Sequence, residues 1–316
     1  MALSPVVIAL ATNWFMVLGG RVLAWVSRGL RTPARKALLA DAITPEAYGR
    51  AFGFERAMDT VGAIVAPMAV LLLLRAGLTH RTLILLATVP AILAVFAITL
   101  LVREQPSRTP ITTPFIQSFG RFDPRFKKFL AAVGLFGLGD FADTFYILYT
   151  VSVLSPEIGP AQAATLSVAG YVLHNVLYAS WSYLGGWLAD RTNKRMLLVT
   201  GYTAAALAAL CMVAGVRSYV GLAIMFALGG AAVGLYEAVE DAVAAELLPS
   251  EIRGSGFGGL AIVTGFGDMF SSVTAGWLWA LAGPDLAFTS AACLMIAGTI
   301  LMLLQALQNP SPAAKE

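Results

Sequence analysis

A chain of 316 residues in which 58% of side chains are hydrophobic and 12% are charged has too few polar groups to cover a water-soluble globule. Its mean hydropathy of +0.78, in long apolar runs that do not alternate with period two, points to membrane-spanning helices and away from a barrel. The net charge of +3 gives no reason to expect a nucleic-acid partner. Cys211, Cys293 and the two histidines supply neither a disulfide framework nor a metal cluster, so no cofactor is expected.

A span needs ~20 apolar residues. In chain order this ruler gives a stub, Leu3–Thr12, too short to cross, and then predicted spans at Asn13–Ala42, Gly49–Leu74, Thr82–Val102, Leu130–Leu154, Ala161–Asp190, Lys194–Val216, Tyr219–Leu248, Ile252–Ala282 and Asp285–Gln308. The first residues have no basic segment or cleavage motif, so they do not read as a signal peptide. One connection is long: Glu104 to Phe129 carries Pro106, Pro110, Pro114 and Pro124, and a basic cluster from Arg103 to Lys128. That composition predicts a linker between two bundles. The expected organisation is a partial N-terminal bundle over 1–103, a cytoplasmic linker over 104–129, a six-helix bundle over 130–308 and a cytoplasmic tail over 309–316.

Apart from the first span, alternate connections collect most of the basic residues: Arg50 and Arg56, the linker cluster, Arg191, Lys194, Arg195, Arg253 and Lys315. The opposite side holds only Arg75, Arg81 and Arg217. Positive-inside bias therefore places the linker and C-terminus in the cytoplasm of a cell with an inner membrane.

The chain also repeats itself. At an offset of 205 residues (251 − 46), Glu46, Gly49, Phe52, Gly53 and Gly62 meet Glu251, Gly254, Phe257, Gly258 and Gly267, and Asp41 meets Glu246. The same offset makes the stub the second half of a helix, and leaves residues 130–205 without an upstream counterpart. Repeats in one orientation imply a pseudo-two-fold axis along the membrane normal.

The stretch Gly186-Trp-Leu-Ala-Asp190-Arg191-Thr-Asn193-Lys194-Arg195 resembles the cytoplasmic loop signature of the major facilitator superfamily. That signature reads Gly, three residues, Asp, a base, one residue, Gly and two bases. Asn193 stands where it has its second glycine; both residues tolerate left-handed backbone, so the turn is expected to survive. Arg21 is similar to the family's fourth-helix arginine. Gly62-Ala-Ile-Val-Ala66-Pro67 resembles the fifth-helix motif of its antiporter branch, with Ala66 in place of the usual glycine. Arg31-Thr-Pro-Ala-Arg35 is similar to a poorly characterised facilitator group. The resemblance implies an all-α membrane fold of about nine spans plus an N-terminal stub in two pseudo-symmetric bundles, helices four to twelve of a family of twelve, with truncation at the N-terminus.

Ionisable groups at membrane depth cost ~2.5–3.5 kcal/mol or more and so mark function by default. Arg21, Arg28 and Arg35 recur every seven residues on one helix face, followed by Lys36; Glu237, Glu240 and Asp241 share a face of the repeat-equivalent helix. At the same offset Arg35 meets Glu240 and Lys36 meets Asp241. Asp140 and Asp143 sit mid-span, where two carboxylates at i, i+3 repel and one can hold a proton. His174 sits mid-span in the next helix. Structural ion pairs and hydrogen-bonded packing are the competing readings of these groups. With the resemblance, Arg21, Arg28, Arg35, Asp140, Asp143, His174, Glu237 and Glu240 are candidates for a substrate and proton cavity. Lys36, Asp41, Gly49, Arg50, Gly186, Asp190, Arg191, Arg195, Asp241, Glu246 and Arg253 are candidates for a cytoplasmic gate. Asp190 is expected to meet the N-terminus of the helix opening at Gly49, with Arg191 or Arg195 free to pair with Glu46 or Glu55. The expected function is secondary transport of a small solute by alternating access in a lipid bilayer, proton-coupled antiport being one form of it. The alternative is a truncated, non-transporting membrane protein or scaffold. No nucleophile–base set appears, so an enzyme is not expected.

Overall fold

The computed structural model describes residues 3–101 and 119–308. The N-terminal part of the expected linker, with Arg103 and Arg108, and the tail at 309–316 lie outside these residues. The described chain is helical: α1 (Leu3–Ala9), α2 (Trp14–Ala42), α3 (Tyr48–Arg75), α4 (His80–Leu86), α5 (Thr88–Leu101), α6 (Pro124–Gly137), α7 (Thr144–Ile158), α8 (Pro160–Ala189), α9 (Lys194–Val213), α10 (Tyr219–Leu247), α11 (Arg253–Ala282) and α12 (Pro284–Gln308). Single 3₁₀ turns, Pro45–Ala47 and Ser250–Ile252, precede α3 and α11. The repeat is visible in these bounds. Adding 205 to the ends of α2 gives the ends of α10, and adding it to the first 3₁₀ turn gives the second.

Five described stretches are long and apolar enough to cross a membrane on length and composition alone: Pro45–Arg75, His80–Leu100, Lys194–Val213, Tyr219–Leu247 and Pro284–Gln308. The other predicted spans carry cations (α2), many polar residues and glycines (α8, α11), or a break (α6–α7).

Two predicted spans are interrupted. Thr82–Val102 divides at Ala87 into α4 and α5. Pro90 has no N–H to give and its ring crowds the carbonyl of Leu86; the Thr88 hydroxyl satisfies the carbonyl of Leu85. Leu130–Leu154 divides more widely, over Leu138–Asp143, into α6 and α7. Asp140 and Asp143 therefore lie in irregular backbone and not on a helix face. Such backbone at membrane depth needs outside partners. α11 provides them: Ser271 donates to the Asp140 carbonyl at 2.7 Å, and Ser272 Oγ accepts from the Ala142 N–H at 3.1 Å.

The described residues form two compact units, 3–36 with 62–101, and 37–61 with 119–308. In the first, α1 packs on α4 and α5. Ser4 donates to the Gly20 carbonyl at 2.7 Å and Arg81 to the Ala11 carbonyl at 3.2 Å. Trp14, Phe15, Trp25, Leu30, Leu71 and Leu72 are exposed there, which suits a surface solvated by lipid tails.

The second unit holds most of the core. α10 packs on α8 and α9, α12 on α6, α9 and α11, and α6 on α11. A Cβ at Gly230 or Gly234 of α10 would run into the carbonyl oxygens of His174 or Tyr178, so small residues let these backbones touch, as expected where lipid supplies no hydrophobic drive between helices. Phe136 stacks on Tyr202 with ring centroids 3.7 Å apart and planes 4° off parallel, and Tyr236 closes edge-on. The edge-on contact is a preferred geometry for aromatic pairs.

Candidate transport and gating site

The loop between α8 and α9 carries the acid Asp190. Its Oδ1 accepts from the Gly49 N–H at 2.7 Å, and its Oδ2 from the Arg50 N–H at 3.0 Å and Arg50 Nε at 3.0 Å. Gly49 and Arg50 are the second and third residues of α3, whose first N–H groups have no partner within the helix. The carboxylate satisfies two of them and faces the positive end of the helix dipole, worth ~0.3–1 kcal/mol, rising toward ~2 when partly buried. Three glycines permit this approach. A Cβ at Gly49 would strike the Gly186 carbonyl, one at Gly186 the Gly49 carbonyl, and one at Gly53 the Ser182 carbonyl. The expected meeting of Asp190 with this helix end is thus present in the geometry.

Neighbouring residues of the signature go elsewhere than expected. The Arg191 guanidinium lies over the Trp187 ring, 3.7 Å from its centroid, where cation–π attraction holds it. Asn193 has φ −71° and ψ 106°, not left-handed backbone; its side-chain oxygen caps α9, accepting from Arg195 N–H at 3.0 Å and Met196 N–H at 3.3 Å. Asparagine is retained there as an N-cap. Arg195 turns toward a cavity shared with α6 and α12.

Around the same end, equivalent residues of the two repeats touch. Arg253 donates to the Tyr48 hydroxyl at 3.1 Å, and Phe52 packs on Phe257 with ring centroids 5.7 Å apart. Each pair is separated by 205 residues, so the local two-fold axis passes between its members. Ion pairs flank the axis: Arg253 with Asp41, and Lys194 with Glu246. Asp41 and Glu246 are themselves repeat equivalents.

Deeper in, Arg56 of α3, which sequence reasoning placed among the loop cations, meets the acids of α10. It lies 3.2 Å from Glu237 and 3.9 Å from Asp241, and Glu237 also accepts from the Tyr178 hydroxyl. Glu240 does not share that partner; it is 6% exposed and accepts from the Tyr202 hydroxyl at 2.5 Å. The candidate α10 acids therefore divide between two neighbours. Arg21, Arg28, Arg35 and Lys36 belong to the first unit. Arg21 and Arg28 are exposed there, with Arg28 5.8 Å from the Trp25 ring centre.

The two aspartates of the break also have separate partners. Asp140 accepts from the Tyr236 hydroxyl at 2.6 Å. Asp143 lies 3.5 Å from His174 Nε2. The His174 side chain is fully buried, ringed by Tyr146, Tyr171 and Tyr178, and neither ring nitrogen has a hydrogen-bond partner among the described residues. Sequence reasoning missed Arg56 and the tyrosines Tyr178, Tyr202 and Tyr236. Tyr178 lies four residues after His174, a helical spacing that signals a shared face. Among the described residues, no group of three or more His, Cys, Asp or Glu side chains could hold a metal ion.

A polytopic helical fold with one-way repeats about a two-fold axis, and an acidic loop capping a helix at the axis, defines a transporter class. The family model described as Major Facilitator Superfamily matches residues 1–173 and 129–316, and the chain belongs to this family. It is 28% identical over 297 residues to an uncharacterized MFS-type transporter, MJ1317, of Methanocaldococcus jannaschii, covering 94% of this chain and 73% of that one. Among solved structures, the human organic anion transporter MFSD10 (TETRAN) superposes with a TM-score of 0.70 at 18% identity, covering 95% of this chain and 74% of the other. The fucose:proton symporter FucP of E. coli gives 0.70 at 14% identity over 96% and 81%. The proton:xylose symporter XylE gives 0.68 at 13% over 87% and 67%. At such identities the structures share the fold alone. Family membership makes this chain a membrane transporter of a small-molecule solute, not an enzyme.

Proposed function

We propose that the chain is a secondary transporter working by alternating access as a proton-coupled antiporter. The observation that carries the coupling is the break at Leu138–Asp143, which sets the Asp143 carboxylate 3.5 Å from the buried ring of His174. A buried imidazole beside an acid that is 33% exposed can pass one proton between a bound and a released state as solute comes and goes. Asp140, held by Tyr236, is the companion acid. The Gly62–Pro67 stretch, with Ala66 in place of the usual glycine, supports antiport only together with the proton coupling, and the assay below reads the direction. The solute meets Arg56, Glu237 and Tyr178. Arg21, Arg28 and Arg35, on one face of α2, are the further cations proposed for solute binding. Asp190, Gly49, Arg50, Asp41, Arg253, Lys194 and Glu246 form the cytoplasmic gate, and Asp241 extends it. The C-terminus is cytoplasmic and the membrane is the inner one.

Proteoliposomes holding a pH-sensitive dye test this against a panel of metabolites and drugs. Wild-type protein moves protons outward against inward solute, or the reverse. Asp143→Asn retains solute-for-solute exchange and loses proton movement. Undiminished proton movement in both Asp143→Asn and His174→Gln would overturn the coupling assignment.

A further inference from the structure

A second polar site lies apart from the acids. Pro124, Arg125 and Lys128 from the first two turns of α6, Arg195 from the first turn of α9, and Gln305 and Gln308 from the end of α12 line a cavity of about 250 Å³. Three cations converge there, and none of them forms an ion pair with an acid among the described residues. Glu246, on α10, is bound to Lys194 beside Arg195. Arg125 and Lys128 are exposed and Arg195 is partly buried, so solvent screens part of the repulsion among the three like charges, and an anion entering the space would relieve the rest. The walls are fixed: Gln305 Nε2 donates to the Lys128 carbonyl at 2.8 Å, tying α12 to α6. Asp123 caps α6 through the Arg125 N–H at 2.6 Å. The donors match a group with several acceptor oxygens: guanidinium forks, an ammonium and side-chain amides.

We propose that this pocket binds a phosphate-bearing anion, so that one ligand joins α6, α9 and α12 at the end of the bundle where the gate lies. The chemistry is shared by two sources, an anionic lipid headgroup and soluble phosphate. Basic pockets between spans at the cytoplasmic surface suit the first.

The test uses the purified full chain. Native mass spectrometry counts phosphatidylglycerol retained from mixed phosphatidylglycerol–phosphatidylcholine nanodiscs. Thermal unfolding in detergent compares inorganic phosphate with chloride at equal ionic strength. Wild type retains phosphatidylglycerol, or is stabilised by phosphate, or both; the first alone assigns the lipid and the second alone the free anion. Each cation contributes ~1 kcal/mol, so removing one weakens binding roughly fivefold and removing two roughly thirtyfold. The variants are Lys128→Gln with Arg195→Gln, and Arg125→Gln alone, which changes an exposed side chain and carries the test if the double variant does not fold. Neither retention nor stabilisation in wild type, or effects of equal size in wild type and Arg125→Gln, would overturn the proposal.

Discussion

The Asp190 side chain is 5% exposed, whereas Arg50 beside it is 53% exposed. The pair itself therefore contributes little, since the arginine stays solvated. The two backbone N–H groups are the stronger partners. Asp190→Asn keeps a side-chain acceptor but removes the charge from the helix end. It is expected to weaken the contact by ~0.5–2 kcal/mol, read as faster hydrogen exchange at Gly49 and Arg50. Asp190→Ala should weaken it further, and unchanged exchange in both would contradict the capping. At Gly186 the expectation is larger. A methyl group there meets the Gly49 backbone, and overpacking of this kind costs ~1–3 kcal/mol or more. Gly186→Ala should lower the unfolding temperature more than Ala189→Gly, and an unaltered temperature would show that the helices can part without cost.

The helices themselves were readable from hydrophobic length, because lipid demands long unbroken spans. The repeat tied the ends of α2 to those of α10, whereas Asn193, read as a left-handed stand-in for glycine, is instead the N-cap of α9. The break after α6 was not. Gly137 precedes it and Gly139 lies within it, but glycine is common throughout this chain, and what stabilises the irregular backbone is supplied by Ser271 and Ser272 from a helix about 130 residues away. No local pattern encodes that. For the same reason the two aspartates looked like a repelling helical pair, when Tyr236 and His174 give each its own partner. Arg56 was misread because loop proximity suggested a topological charge, while its length lets it reach inward along α3 to Glu237. Two predictions belong here. Ser271→Ala leaves the Asp140 carbonyl short of a donor and should cost ~1–3 kcal/mol, with hydrogen exchange rising at Leu138–Asp143 and not in α9. A double-mutant cycle of Arg56→Gln and Glu237→Gln should show a coupling of roughly 1–3 kcal/mol, between the values for exposed and fully buried pairs. A coupling near zero would make the two charges independent.

For the molecule as a whole, the repeat has a mechanical meaning. The contacts Arg253–Tyr48 and Phe52–Phe257 join equivalent residues, so a rotation about the local axis moves both members of each pair at once. The ion pairs Arg253–Asp41 and Lys194–Glu246 and the Asp190 cap surround the same axis and would release together. Charge placement gives this end a side: after replacement of Cys211 and Cys293, an impermeant thiol reagent on intact cells should label a cysteine at Thr79 and spare one at Thr192, and the reverse pattern would invert the topology. The central claim is that the contacts of residues 37–61 with the six-helix part are a gate that opens and closes. Spin labels at the exposed positions Glu46 and Thr192, on either side of the Asp190 cap, measure it directly by pulsed dipolar spectroscopy. The account predicts two distance populations in wild-type protein, with the longer one enriched by Asp190→Asn and by a change of pH. A single short distance, indifferent to both, would mean that these contacts are a fixed part of the fold and not a gate.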